Sequence, residues 1–149
     1  MIQYTQDQGQ SNRTLTFKRH DGYFMRYSCL FWASVSGLLC VALGAFGAHA
    51  LEASLSSAML EIWQTAVHYQ MFHVAGLIGI HVLIQEKGNL PVLHNSGRLM
   101  LAGMVIFSGS LYLLALTGQR WLGMITPIGG VCLMVAWVLL AIGSLSKAQ

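Results

Sequence analysis

The chain has 149 residues, 55% of them hydrophobic and only 9% Asp, Glu, Lys or Arg, against about 25% charged in an ordinary soluble domain. Eight basic and five acidic side chains are too few to cover a soluble fold of this size. A formal net charge of +3, with half of the basic residues before position 27, is too weak for a nucleic-acid binder.

Residues 1–24 are rich in Gln, Asn, Thr and Ser and read as a polar disordered tail. Met25-Arg26 directly precedes the first apolar run and is a candidate translation start. Four stretches then carry no Asp, Glu, Lys or Arg: residues 27–51, 62–85, 99–119 and 121–146. About 20 helical residues cross a hydrocarbon core, and long apolar runs without alternation argue against a barrel. The expectation is an all-α integral membrane four-helix bundle in residues 25–149, with helices near 27–49, 62–84, 99–117 and 127–146. Ala48-His49-Ala50 resembles a signal cleavage site, but the run before it is too long for a signal peptide.

Residues 52–61 read as a short interfacial turn, and residues 86–97, with Gly88, Pro91, Asn95 and Gly97, as a loop. Thr126-Pro127 reads as N-cap and first residue of the last helix, where a missing N–H is harmless. The alternative is a proline kink within a longer helix, releasing the carbonyl of Gly123. Arg13, Lys18, Arg19, Arg26, Lys87, Arg98 and Lys147 fall on one side of the membrane, and Arg120 alone on the other. Both termini are therefore expected in the cytoplasm, with Trp63 and Trp121 in the outer aromatic belt. Cys29, Cys40 and Cys132 have neither disulfide nor zinc spacing and read as small buried hydrophobes.

Helices in lipid are held together by close approach at small residues. Ala33, Gly37, Cys40, Gly44 and Gly47 fall within a stripe about 80° wide. Gly76 in the second helix, Gly109 in the third and Gly129 in the fourth offer comparable seams. His73 lies near the middle of the second run, where a polar group is costly and faces the protein interior. His68 stands about 140° from it around the helix, a poor chelating geometry. His49 is the other candidate partner, one to two turns away in depth. The plainest role for His73 is a hydrogen-bonded cluster with Tyr69 and Ser108 or Ser110 that fixes helix register. No catalytic motif, metal site or cofactor site emerges, so no enzyme, cofactor or metal is expected.

Ala42-Leu-Gly-Ala-Phe-Gly-Ala-His49-Ala-Leu, Thr65-Ala66 with Tyr69-Gln70-x-x-His73, Phe107-Ser-Gly-Ser-Leu-Tyr112 and Thr126-Pro-Ile-Gly-Gly130 stand in order along the chain. Together they resemble the YgdD-like family of small four-helix bacterial inner-membrane proteins, which has distant mitochondrial relatives in animals. The resemblance implies a multi-pass inner-membrane protein and carries no known activity. It draws attention to His49, Tyr69, Gln70 and His73 as a polar cluster, and away from His68. The expected function is structural or interactive, through helix packing with the bilayer, a second copy or a membrane-protein partner. The rival is a minimal transporter or an ion- or cofactor-binding protein using His49 and His73.

Overall fold

The computed structural model describes the backbone of residues 21–147 and the side chains of residues 29–147. The expected tail lies outside the described residues as far as position 20, and its last four residues already belong to the first helix. The described residues form α1 (Asp21–Phe46), a π-helical turn (Gly47–Leu51), α2 (Ser57–Lys87), α3 (Pro91–Thr117) and α4 (Leu122–Leu145). Among the described residues, four helical segments are long and apolar enough to cross a membrane.

The helices run further at their ends than hydropathy suggests, because local capping continues where apolarity stops. Ser56 caps α2, its Oγ accepting from the backbone N–H of Met59 at 3.4 Å. Half of the expected 52–61 turn is therefore helix. Pro91 opens α3 at its first position, so most of the expected 86–97 loop is helix. Gly88 (φ 85°) ends α2 and Gly118 (φ 68°) ends α3, each in a positive-φ conformation that other residues adopt only with strain.

The expected cap at Thr126-Pro127 is corrected. α4 begins at Leu122 and Pro127 lies inside it. The entry is tightened by three-residue hydrogen bonds: Leu122 N–H to Gln119 O, Gly123 N–H to Arg120 O and Met124 N–H to Trp121 O. With the first turn satisfied in this way, Pro127 removes a single further hydrogen bond. Thr126 serves between helices instead, its hydroxyl 2.8 Å from Ser110 Oγ on α3.

Neighbours in sequence are neighbours in space. α1 packs on α2, α2 on α3, and α3 most extensively on α4, while α1 and α4 make no comparable contact. The α3–α4 seam is closest. A Cβ at Gly129 would lie 2.5 Å from the backbone nitrogen of Phe107, one at Gly103 would lie 2.9 Å from Leu133, and one at Gly143 would overlap Leu93. Ser96 adds a hydrogen bond from its hydroxyl to Ala136 O, 2.7 Å. One apolar cluster, with Leu77, Ile80, Leu93, Met100 and Leu133, joins α2, α3 and α4. A smaller one, Leu51, Trp63 and Ala115, closes the far end.

Candidate functional site

Two polar features lie between the helices. The first is a ladder on the α1–α2 face. Trp63 Nε1–H donates to Leu43 O at 3.0 Å, Cys40 Sγ–H to Val67 O at 3.5 Å, and Gln70 Nε2–H to Ser36 O at 2.9 Å. Tyr112 on α3 then donates its Oη–H to Gln70 Oε1 at 2.8 Å. Gln70 therefore ties three helices together while buried. Trp63, expected in the outer aromatic belt, is 2% exposed, packed against Tyr112 with ring centroids 4.6 Å apart. The reason is the close approach at Gly47, where a Cβ would overlap the indole nitrogen. Trp121, in contrast, is 53% exposed.

The ladder also fixes the depth of His49. Leu43 faces Trp63 and Ser36 faces Gln70, so His49, in the π-helical turn, is level with the start of α2. His73 lies further along α2, about 24 Å away at about 1.5 Å per residue. His49 is exposed and His73 is buried. The fold does not bring the two histidines together, and their separation in depth is well beyond the one to two turns expected. Among the described residues, no group of three or more His, Cys, Asp or Glu converges as a metal site would require.

The second feature is a lateral groove between α2 and α4, floored by Phe107 of α3, with a volume of about 470 Å³. His68, Tyr69, Phe72 and His73 line it from α2; Gly130, Leu133, Met134 and Trp137 line it from α4. The groove exists because bulky rings hold α2 and α4 apart. Trp137 spans the gap to Phe72, with centroids at 5.3 Å, and reaches within 3.2 Å of the Cβ position of Gly76. Tyr69 stacks on Phe107 at 4.4 Å. The mouth is open to the surroundings, with Phe72 60% and Met134 63% exposed.

His73 is the buried polar residue of this groove. Its ring is bordered by Tyr69, Phe72 and Trp137 at centroid distances of 6.1, 5.4 and 6.2 Å. Its Nδ1 lies 2.6 Å from the Tyr69 carbonyl oxygen. A carbonyl only accepts, so Nδ1 carries the hydrogen and the neutral ring keeps its lone pair on Nε2. The expected partner serines are elsewhere: Ser110 bonds Phe107 O and Thr126, and Ser108 Oγ is enclosed without a partner. His68, set aside on the resemblance, lines the groove alongside His73.

The packing glycines divide by geometry. Gly47, Gly76 and Gly129 sit where a Cβ would crowd a neighbour; Gly37 and Gly44 would make ordinary contact with Val74 and Val67, at 3.6 and 3.5 Å. At Gly109 a Cβ would meet nothing within 4 Å.

A family model described as "Protein of unknown function (DUF423)" matches residues 43–130. The UPF0382 membrane protein YwdK of Bacillus subtilis is 40% identical over 111 residues, covering 74% of this chain and 90% of the relative. A UPF0382 membrane protein of Staphylococcus haemolyticus is 47% identical over 115 residues, covering 74% and 92%. The UPF0382 inner membrane protein YgdD of Escherichia coli is 40% identical over 116 residues, covering 78% and 88%. No solved structure matches the chain. The chain belongs to the DUF423 (UPF0382) family of membrane proteins, a family of unknown function.

Proposed function

We propose that this family member is a multi-pass protein of the bacterial inner membrane that works by binding, without catalysis, and that its binding site is the lateral groove between α2 and α4. The localisation follows the relative named an inner membrane protein and the four span-length helices. The interaction reading keeps helix packing as the scaffold and replaces the pair His49 and His73 with His73 alone.

The observation that carries it is the buried His73 lining a groove of about 470 Å³ whose other walls, His68 apart, are apolar and aromatic. Small-molecule sites are concave and mostly apolar, with a few placed polar groups, in the range of about 300–1,000 Å³. The site opens sideways, where Phe72 and Met134 are exposed, so its partner arrives from the bilayer. Gly129, Gly103 and Ser96 lock α4 onto α3 and hold the groove walls in place.

The test is photo-crosslinking from the groove mouth. Benzoylphenylalanine at position 134, irradiated in intact membranes, is expected to give adducts of small-molecule mass. The same photoprobe at Leu145, the most exposed large hydrophobic side chain among the described residues, should give only bulk-lipid adducts. Identical adduct spectra from the two positions would overturn the reading.

A further inference from the structure

We infer that the occupant of the groove is a membrane-dissolved molecule with a flat conjugated ring that bears a hydroxyl, of the phenol or quinol class, with the hydroxyl donating to His73 Nε2. The inference rests on the binding reading above and names its ligand chemistry.

Two independent observations converge on it. The first is an unpaired acceptor. His73 is 4% exposed, and its one hydrogen bond within the described residues runs from Nδ1 to the Tyr69 carbonyl. Among the described residues, Ser108 Oγ is the sole fully enclosed side-chain polar atom without a partner. Nε2, also without a partner among the described residues, is therefore not fully enclosed, and His73 lines the groove. A polar atom in an apolar setting is costly until it is hydrogen-bonded, and this one needs a donor. A ketone, ester or ether oxygen would set two acceptors against each other. A hydroxyl fits.

The second observation is the shape and chemistry of the walls. Tyr69, Phe72, Phe107 and Trp137 line the groove. Tyr69 lies on Phe107 with planes 28° apart, and Phe72 lies on Trp137 at 37°. Rings gain most from other rings in offset or edge contact, so the lining favours a planar ring over a flexible chain. The open mouth leaves any tail of such a ligand in the lipid.

The probe is radiolabelled 1-naphthol, compared with labelled 1-methoxynaphthalene, which has the same ring system and no donor. Both are measured on the full chain in phosphatidylcholine nanodiscs, with retention by empty nanodiscs subtracted. The inference expects saturable binding of 1-naphthol, about tenfold tighter than the ether, the worth of one hydrogen bond. His73→Phe should bring the two ligands to equal affinity, and Gly130→Leu, which fills the groove beside Phe107, should abolish both. The wild-type comparison stands even if His73→Phe does not fold. Equal affinity of the two ligands for the wild type, or a preference that survives His73→Phe, overturns the inference. If both ligands bind equally and Gly130→Leu removes them, the groove is a binding site and its hydroxyl selectivity is refuted. Absence of saturable binding by either ligand overturns the inference, and if adducts at position 134 are also absent the binding reading falls with it.

Discussion

Gly129→Ala probes a point where α4 closely approaches the backbone of α3. The added Cβ would stand 2.5 Å from the Phe107 nitrogen, 2.8 Å from its Cα and 2.9 Å from its Cβ. Non-bonded heavy atoms settle near 3.5–4.0 Å, so α4 must retreat by about 1 Å. The obstacle is backbone, with no flexible side-chain end to swing aside. Overpacking of this kind costs about 1–3 kcal/mol. Replacing helical glycine with alanine also returns up to about 1 kcal/mol of propensity. Gly109→Ala is the control that cancels this term, because a Cβ there meets nothing within 4 Å. Gly44→Ala, in ordinary contact with Val67 at 3.5 Å, should resemble the control. The difference between Gly129→Ala and Gly109→Ala is then the overpacking alone, about 1–3 kcal/mol. It is measured by reversible unfolding in mixed micelles of rising sodium dodecyl sulfate content, followed by circular dichroism. Equal stability of these two variants would refute the packing argument for the α3–α4 seam.

The three-helix tie at Gln70 predicts coupling between Gln70→Leu and Tyr112→Phe. A double-mutant cycle should give about 0.6–1.7 kcal/mol, the span of interhelical hydrogen bonds in membranes, and a coupling of zero would remove the tie. Lys87 Nζ donates to Ser144 O at 2.5 Å and Ser146 O at 2.8 Å. Lys87→Met should therefore speed amide exchange in the last turn of α4 and leave the α1–α2 ladder unchanged; a uniform change along the chain would contradict this. A periplasm-active reporter fused after Gln149 should be inactive, the outcome that the distribution of Lys and Arg predicts, and activity there would refute the expected topology.

The four helices were legible because lipid leaves no choice. An uncharged run of span length must satisfy its backbone internally, and a helix does so. Helix ends were less legible, since apolarity marks where lipid stops and capping marks where a helix stops. Ser56 and Pro91 carried the true start signals. Thr126-Pro127 imitated one, and only the tightened turn before it shows why α4 begins earlier.

The site was legible in part. His73 stood out as a polar group at mid-span and Gln70 through the family resemblance, and both are buried. Their partners were not readable. A helix-spacing argument pairs His73 with side chains, whereas its bond goes to the carbonyl one turn before it. Tyr112 lay within a motif already singled out, but its aim at Gln70 depends on the α2–α3 register. The groove is a property of three helices at once, set by the widths of Trp137, Phe72 and Phe107, and no single helical stripe encodes it. Likewise the depth of His49 follows from the register of the ladder, which is fixed by tertiary contacts.

Native mass spectrometry of the protein released from its own membranes tests the central claim most directly. The wild type should retain a bound molecule of small-molecule mass on the folded chain, and Gly130→Leu, with the groove filled, should lack it. A bare wild-type chain, or the same bound mass on both proteins, would contradict the assignment of the α2–α4 groove as the binding site.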